Sequence, residues 1–140
     1  MLVTTIDLYN NNKIMHLQTK RTSSENTDFQ QLVRLLDQEL RYRNGDIQDV
    51  LDQYNIITGS DTVVVAYIGD GPVGCGCFKE FSPTTVEIKR MFVHKDHRGK
   101  GVAASVLNEL EVWAHELGYL RAVLETGTRL HEAVKLYTKP

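Results

Sequence analysis

The stretch Thr85–Gly118 constrains this chain most, because a strand pattern passes through a short glycine-containing loop straight into an amphipathic helix pattern. Over Thr85–Val93, Val86, Ile88, Arg90 and Phe92 alternate with Glu87, Lys89, Met91 and Val93, so the two sets are expected on opposite faces of a strand. After the loop, Val102, Val106, Leu110, Trp113 and Leu117 recur at helical spacing as one apolar stripe, which Gly118 ends. Strand and helix in such close succession predict an α/β layered domain.

The same periodicities organise the rest of the chain. Thr62–Ile68 is β-branched, Gly69-Asp70-Gly71 turns, and Pro72–Phe81 reads as the second strand of a hairpin that Ser82-Pro83 breaks. Upstream, Ser23–Thr27 offers helix caps, and Phe29, Leu32, Val33, Leu36 and Leu40 follow helical spacing to Arg43 before Asn44-Gly45 stops them. Asp46 can cap a second short helix carrying Ile47, Val50, Leu51 and Tyr54. Ile14–Lys20 fits a strand, while residues 1–13 give no clear pattern beyond the turn signal Asn10-Asn11-Asn12. Leu120–Glu125 reads as a buried strand, and Leu130–Lys139, with Ala133, Val134 and Tyr137, as a last helix. The main elements are therefore expected in the order ααβββαβα.

At 140 residues the chain suits a single domain over 1–140. A net charge of −2 leaves no basic excess, so neither nucleic acid nor an anionic membrane is an expected partner. No apolar run reaches the roughly 20 residues of a membrane helix. Met1–Thr5 lacks the basic and apolar segments of a secretion signal, so a cytoplasmic location is expected. Cys75 and Cys77 would share a strand face but lie too far apart for an easy bridge. They have no matching Cys/His pair for a closed zinc site, so they read as small strand residues and no metal is expected.

The loop Arg98-Gly99-Lys100-Gly101-Val102-Ala103 carries the chemistry. Glycines let a backbone approach a ligand, and the first N–H groups of a helix lack internal partners at the positive end of its dipole. Such a start attracts anions, and Arg98 and Lys100 add donors suited to phosphate. The loop lacks the spacing of a P-loop, and Ala104 stands where a dinucleotide fingerprint needs its third glycine. Read alone, the segment fits either a diphosphate cradle or a glycine-rich turn with a solvated basic pair.

Together with its flanks, the arrangement resembles the GNAT superfamily of N-acetyltransferases. That family's Arg/Gln-x-x-Gly-x-Gly/Ala signature is matched by Arg98, Gly101 and Ala103, and Glu87–Val93 is similar to the strand that precedes it. Glu125-Thr126-Gly127 and Ala133–Tyr137 resemble the elements that close the family's cofactor cleft. The resemblance implies a mixed, mainly antiparallel sheet flanked by helices, with acetyl-CoA as cosubstrate. The backbone of Met91 and Val93 would pair with the pantetheine arm, amides of Gly99, Lys100, Gly101, Val102 and Ala103 would wrap the diphosphate, and the acetyl group would lie where two strands splay. Leu130 departs from the family's Asn, and the chain ends at Leu136–Pro140 where the family continues into a further strand. The resemblance thus implies missing C-terminal strands: a domain shortened at that end, or an edge completed by a second copy in a homodimer.

The implied reaction moves an acetyl group from acetyl-CoA to a primary amine of a small molecule, amino acid or peptide by direct attack. The alternative is a noncatalytic acyl-CoA-binding or regulatory module on the same fold. Direct transfer needs a base for the amine and an acid for the leaving thiolate. Glu87 matches the strand glutamate that acts as base in some members; its other reading is an ion-pair partner for Lys89 or Arg90. Tyr137 matches the family's tyrosine near the sulfur and could act as acid, or simply pack a helix. His94 and His97 flank the loop, His16, His115 and His131 are secondary candidates, and Glu125 could orient the amine. Arg41, Tyr42 and Arg43 could hold an acceptor carboxylate or only favour a helix C-terminus.

Overall fold

The computed structural model describes residues 3–10, 13–44, 61–125 and 131–135. Its elements are β1 (Val3–Asn10), β2 (Lys13–Thr22), α1 (Thr27–Asn44), β3 (Val63–Ile68), β4 (Gly71–Ser82), β5 (Thr85–Val93), a 3₁₀ turn at Lys95–His97, α2 (Val102–Glu116), β6 (Arg121–Glu125) and β7 (His131–Lys135). The strands form one seven-stranded sheet in the order β1 to β7. Neighbours run antiparallel except β5 and β6, which are parallel because α2 carries the chain back between them. The sheet is thus mixed and mainly antiparallel, as expected.

Two apolar clusters lie on either side of this sheet. On one side Val102, Val106, Leu110 and Ala114 of α2 pack with Leu17, Val64, Ala66, Phe78, Val86, Ile88 and Ala122. On the other, Phe29, Leu32 and Val33 of α1 pack with Val63, Val65, Cys75, Cys77 and Phe92. Both cysteines are free and buried. They alternate with Gly74 and Gly76, which face α2 and let it sit close. A Cβ at Gly74 would come within 2.7 Å of Val102 Cγ1, and one at Gly76 within 2.6 Å of Met91 Sδ. Asn26 caps α1 by accepting a hydrogen bond from the Phe29 amide at 2.9 Å. Arg21 ties β2 to α2: its Nε donates to Glu109 at 2.6 Å, NH1 donates to Glu116 at 2.8 Å, and the guanidinium lies 5.0 Å over the Trp113 ring.

Three expectations change. Residues 3–10, where no pattern was legible, form edge strand β1 paired with β2. Within the expected last helix over 130–139, the described residues His131–Lys135 instead form β7, antiparallel to β6 from Arg121–Lys135 to Glu125–His131. So short an apolar run does not separate the strand and helix periods, and the backbone edge of β6 supplies the hydrogen bonds that decide it. Third, the alternation along β5 does not hold throughout. Arg90, at φ 58°, forms a bulge: Cys75 pairs with Phe92 and Cys77 with Lys89, so Gly76 alone opposes Arg90 and Met91. The extra residue reverses the faces. Met91 and Val93 join Val86 and Ile88 on the α2 side, while Phe92 packs with the α1 cluster. The expected short helix over 46–54 lies outside the described residues.

Candidate active site

The bulge and the parallel pairing together shape a cleft. β5 pairs with β6 only from Thr85–Arg121 to Ile88–Leu124, then runs on to Val93. The described pairing with β6 ends at Ile88, and Met91 and Val93 lie beyond it on β5. The cleft at that end measures about 530 Å³ and is walled by Met91–Val93, the Arg98–Gly99 turn and Gly101–Ala104, with Leu36 and Glu39 of α1 opposite. Of the residues expected to hold the cofactor, Lys100 is not on that wall.

The start of α2 is built to present donors. Gly99 and Gly101 have φ of 77° and 82°, where a side chain is strained, so the loop needs glycine for its backbone rather than for space. The first helical hydrogen bond described there runs from the Ser105 amide to the Gly101 carbonyl at 3.1 Å. Gly101, the N-cap, provides no side-chain hydrogen bond, and the first turn contains no acidic residue. The amides of Val102, Ala103 and Ala104 are thus without helical partners at the wall of the cleft. This donor set fits a diphosphate: it offers N–H groups and a positive dipole with no competing carboxylate in the helix's first turn.

Charged side chains tie the loop and β5 to their neighbours. Arg98 Nε donates to the Val93 carbonyl at 2.9 Å, and its NH2 donates to both Glu39 oxygens at 3.0 and 2.9 Å. Its guanidinium carbon lies 5.7 Å from the centre of the Phe92 ring. Arg90 reaches the other way, to Asp37 of α1 at 2.7 Å. Glu87 lies on the β5 face opposite Val86 and Ile88 and forms a 3.0 Å ion pair with Lys89, both side chains being largely buried. His94 Nδ1 accepts from the Asp96 amide and so caps the 3₁₀ turn. His97 stands on the cleft wall; burial chiefly, then the Lys100 and His94 charges, lowers its pKa below the ordinary imidazole value.

The structure thus brings Met91, Val93, Arg98, Gly99, Gly101, Val102 and Ala103 to one cleft. Glu87 lies on the part of β5 that pairs with β6, opposite Val123. Tyr137 and Leu130 lie outside the described residues, and no side chain is described for Arg41, Tyr42, Arg43, Glu125 or His131. His16 and His115 are exposed and are not on the cleft wall. Sequence reasoning did not find Leu36 or Glu39. Both follow the helical pattern of α1, and only the packing of that helix beside Phe92 turns them toward the loop. Among the described residues no group of His, Cys, Asp and Glu is placed to hold a metal ion, and no helix is long and apolar enough to cross a membrane.

Known proteins resemble this chain in sequence and in fold. The chain is 42% identical over 74 residues to the uncharacterized N-acetyltransferase YsnE of Bacillus subtilis (strain 168), covering 51% of this chain and 49% of that one. It is 28% identical over 81 residues to N-acetyltransferase 8 of Homo sapiens, covering 58% of this chain and 34% of the relative. The chain therefore spans about half the length of the first and about a third of the second. Its fold matches that of a GNAT family acetyltransferase from Brucella melitensis, crystallised with acetyl-CoA, at a TM-score of 0.62 and 13% identity over 79% of this chain and 76% of that one. The model of the acetyltransferase (GNAT) family itself matches residues 28–139, four-fifths of the sequence, and on that ground this chain belongs to the GNAT family of acetyltransferases.

Proposed function

We propose that the protein transfers an acetyl group from acetyl-CoA to a primary amine of a small molecule, amino acid or peptide. The observation that carries this reading is the uncapped start of α2, whose amides open on the same cleft as the end of β5 beyond its described pairing with β6. The diphosphate would be held by amides from Gly99 to Ala103 together with Arg98 and Lys100, and the pantetheine arm by the backbone of Met91 and Val93. That arm would direct the thioester toward the end of the β5–β6 pairing, beside Glu87.

The chemistry asked of this chain is modest. The amine nitrogen attacks the thioester carbon, the carbon–sulfur bond breaks, and the nitrogen loses a proton while the sulfur gains one. Glu87, directly or through water, is the group we assign to take the amine's proton, and Tyr137 the one to protonate the thiolate. The 3.0 Å pair with Lys89 supports the assignment in one respect: it holds the Glu87 carboxylate in a fixed place on the strand. Two buried free thiols are in keeping with action in the reducing cytoplasm.

Calorimetric titration with acetyl-CoA, followed by an amine panel with free-thiol detection, tests the reading. Saturable binding and amine-dependent thiol release are expected. No binding at physiological coenzyme concentrations would reject it, and binding without release from any amine would reduce the protein to a coenzyme-binding module.

A further inference from the structure

We propose that Glu39 of α1, acting through Arg98, sets the affinity of this protein for its coenzyme and holds it below what the loop alone would give. The proposal rests on the coenzyme reading above and extends it to a residue outside the signature. Arg98 is restrained in three ways: by the Val93 carbonyl at 2.9 Å, by both oxygens of Glu39 at 3.0 and 2.9 Å, and by the Phe92 ring beneath it. Val93 is one of the two residues whose backbone is assigned to the coenzyme arm, and Arg98 occupies its carbonyl. Glu39 also stands on the wall that faces the uncapped amides.

Coenzyme entry therefore sets two anions against each other. For the arm to pair with Val93, Arg98 must leave that carbonyl. For Arg98 to serve the diphosphate, it must loosen its two-oxygen grip on Glu39. Arg98 is 43% exposed and Glu39 29% exposed, so the pair is a bias that a polyanion can overcome, not a lock. Glu39 is in this sense a positioning residue: it acts on the coenzyme through where it keeps Arg98.

The test is a double-mutant cycle read by calorimetric titration with free CoA, using the wild type, Glu39→Gln, Arg98→Met and the double variant, with thermal melts on all four. Met keeps a long side chain over Phe92 while removing every donor. Glu39→Gln should bind CoA about two- to fivefold more tightly than wild type, although it loses an ion pair. In the Arg98→Met background the gain should largely vanish. A merely structural role would lower stability and affinity together. Unchanged or weaker binding by Glu39→Gln overturns the proposal, as does an equal gain in both backgrounds, which would be plain repulsion independent of Arg98. If none of the four proteins binds CoA, the coenzyme reading falls and this one with it.

Discussion

Helix α2 meets the sheet over glycines and aliphatic side chains, with Gly74 and Gly76 admitting Val102, Val106 and Leu110 to close range. Helix α1 also covers an apolar patch, but it is tied to the sheet and loop by polar contacts along its length. Asp28 accepts from the Tyr67 hydroxyl at 2.7 Å, Asp37 holds Arg90, and Glu39 holds Arg98. On the α2 side the sheet's ion pairs converge on Arg21, toward the helix's far end. Dry packing tolerates little change of volume but is indifferent to charge. Polar tethers are the reverse: each contributes little to stability, yet each fixes where a charged group stands. The α2 face should therefore govern folding, and the α1 face the chemistry.

That contrast can be broken by mutation. Leu110→Ala, at a fully buried α2 position, should destabilise by about 2–5 kcal/mol in denaturant titrations while leaving residual activity per folded molecule. Glu87→Gln, on the α1 side, should lower kcat about a hundredfold and flatten the low-pH limb of the rate profile with little change in melting temperature. If Leu110→Ala lowered kcat at unchanged stability, or Glu87→Gln unfolded the protein, the division between faces would be wrong. Gly101→Ala, at the joint between sheet and α2, should cost about 1–2 kcal/mol from its positive φ and weaken coenzyme binding as well.

The smallest effect sharpens the contrast through pH. Burial, followed by the hydrogen bond to Asp28, raises the Tyr67 pKa from its ordinary value to about 12. The folded protein thus holds the phenol's proton more tightly than the unfolded chain does. This contribution to stability is fully present below the ordinary tyrosine pKa of about 10 and is lost as pH rises toward about 12. Tyr67→Phe should remove that alkaline loss, measured as the pH dependence of the denaturant midpoint. An identical alkaline slope in the variant would mean that ionisation of Tyr67 does not contribute.

Much of this was legible because long periodic segments leave little choice. The strand at Thr85–Val93, the glycine-containing loop and the helix from Val102 follow from spacing and residue type. The bulge at Arg90 was not legible, since arginine has no preference for φ near 58° and only the pairing with β4 imposes it. Glu39 escaped notice for a related reason: a glutamate on a helix is ordinary, and its meaning comes from what α1 packs beside. β7 was misread as helix because its pairing partner, not its own five residues, determines its state.

The reversal of faces at Arg90 makes counting matter in a way that chemistry does not. Inserting a single residue between Ile88 and Met91 while the one-residue bulge persists would swing Met91 and Val93 out of the hydrophobic interior. Phe92 would change places with them, and every carbonyl downstream would point to the wrong neighbour. Turns such as Gly69-Asp70 can lengthen without such damage. This part of the chain can exchange many side chains over time, but it is under strong pressure to keep its length.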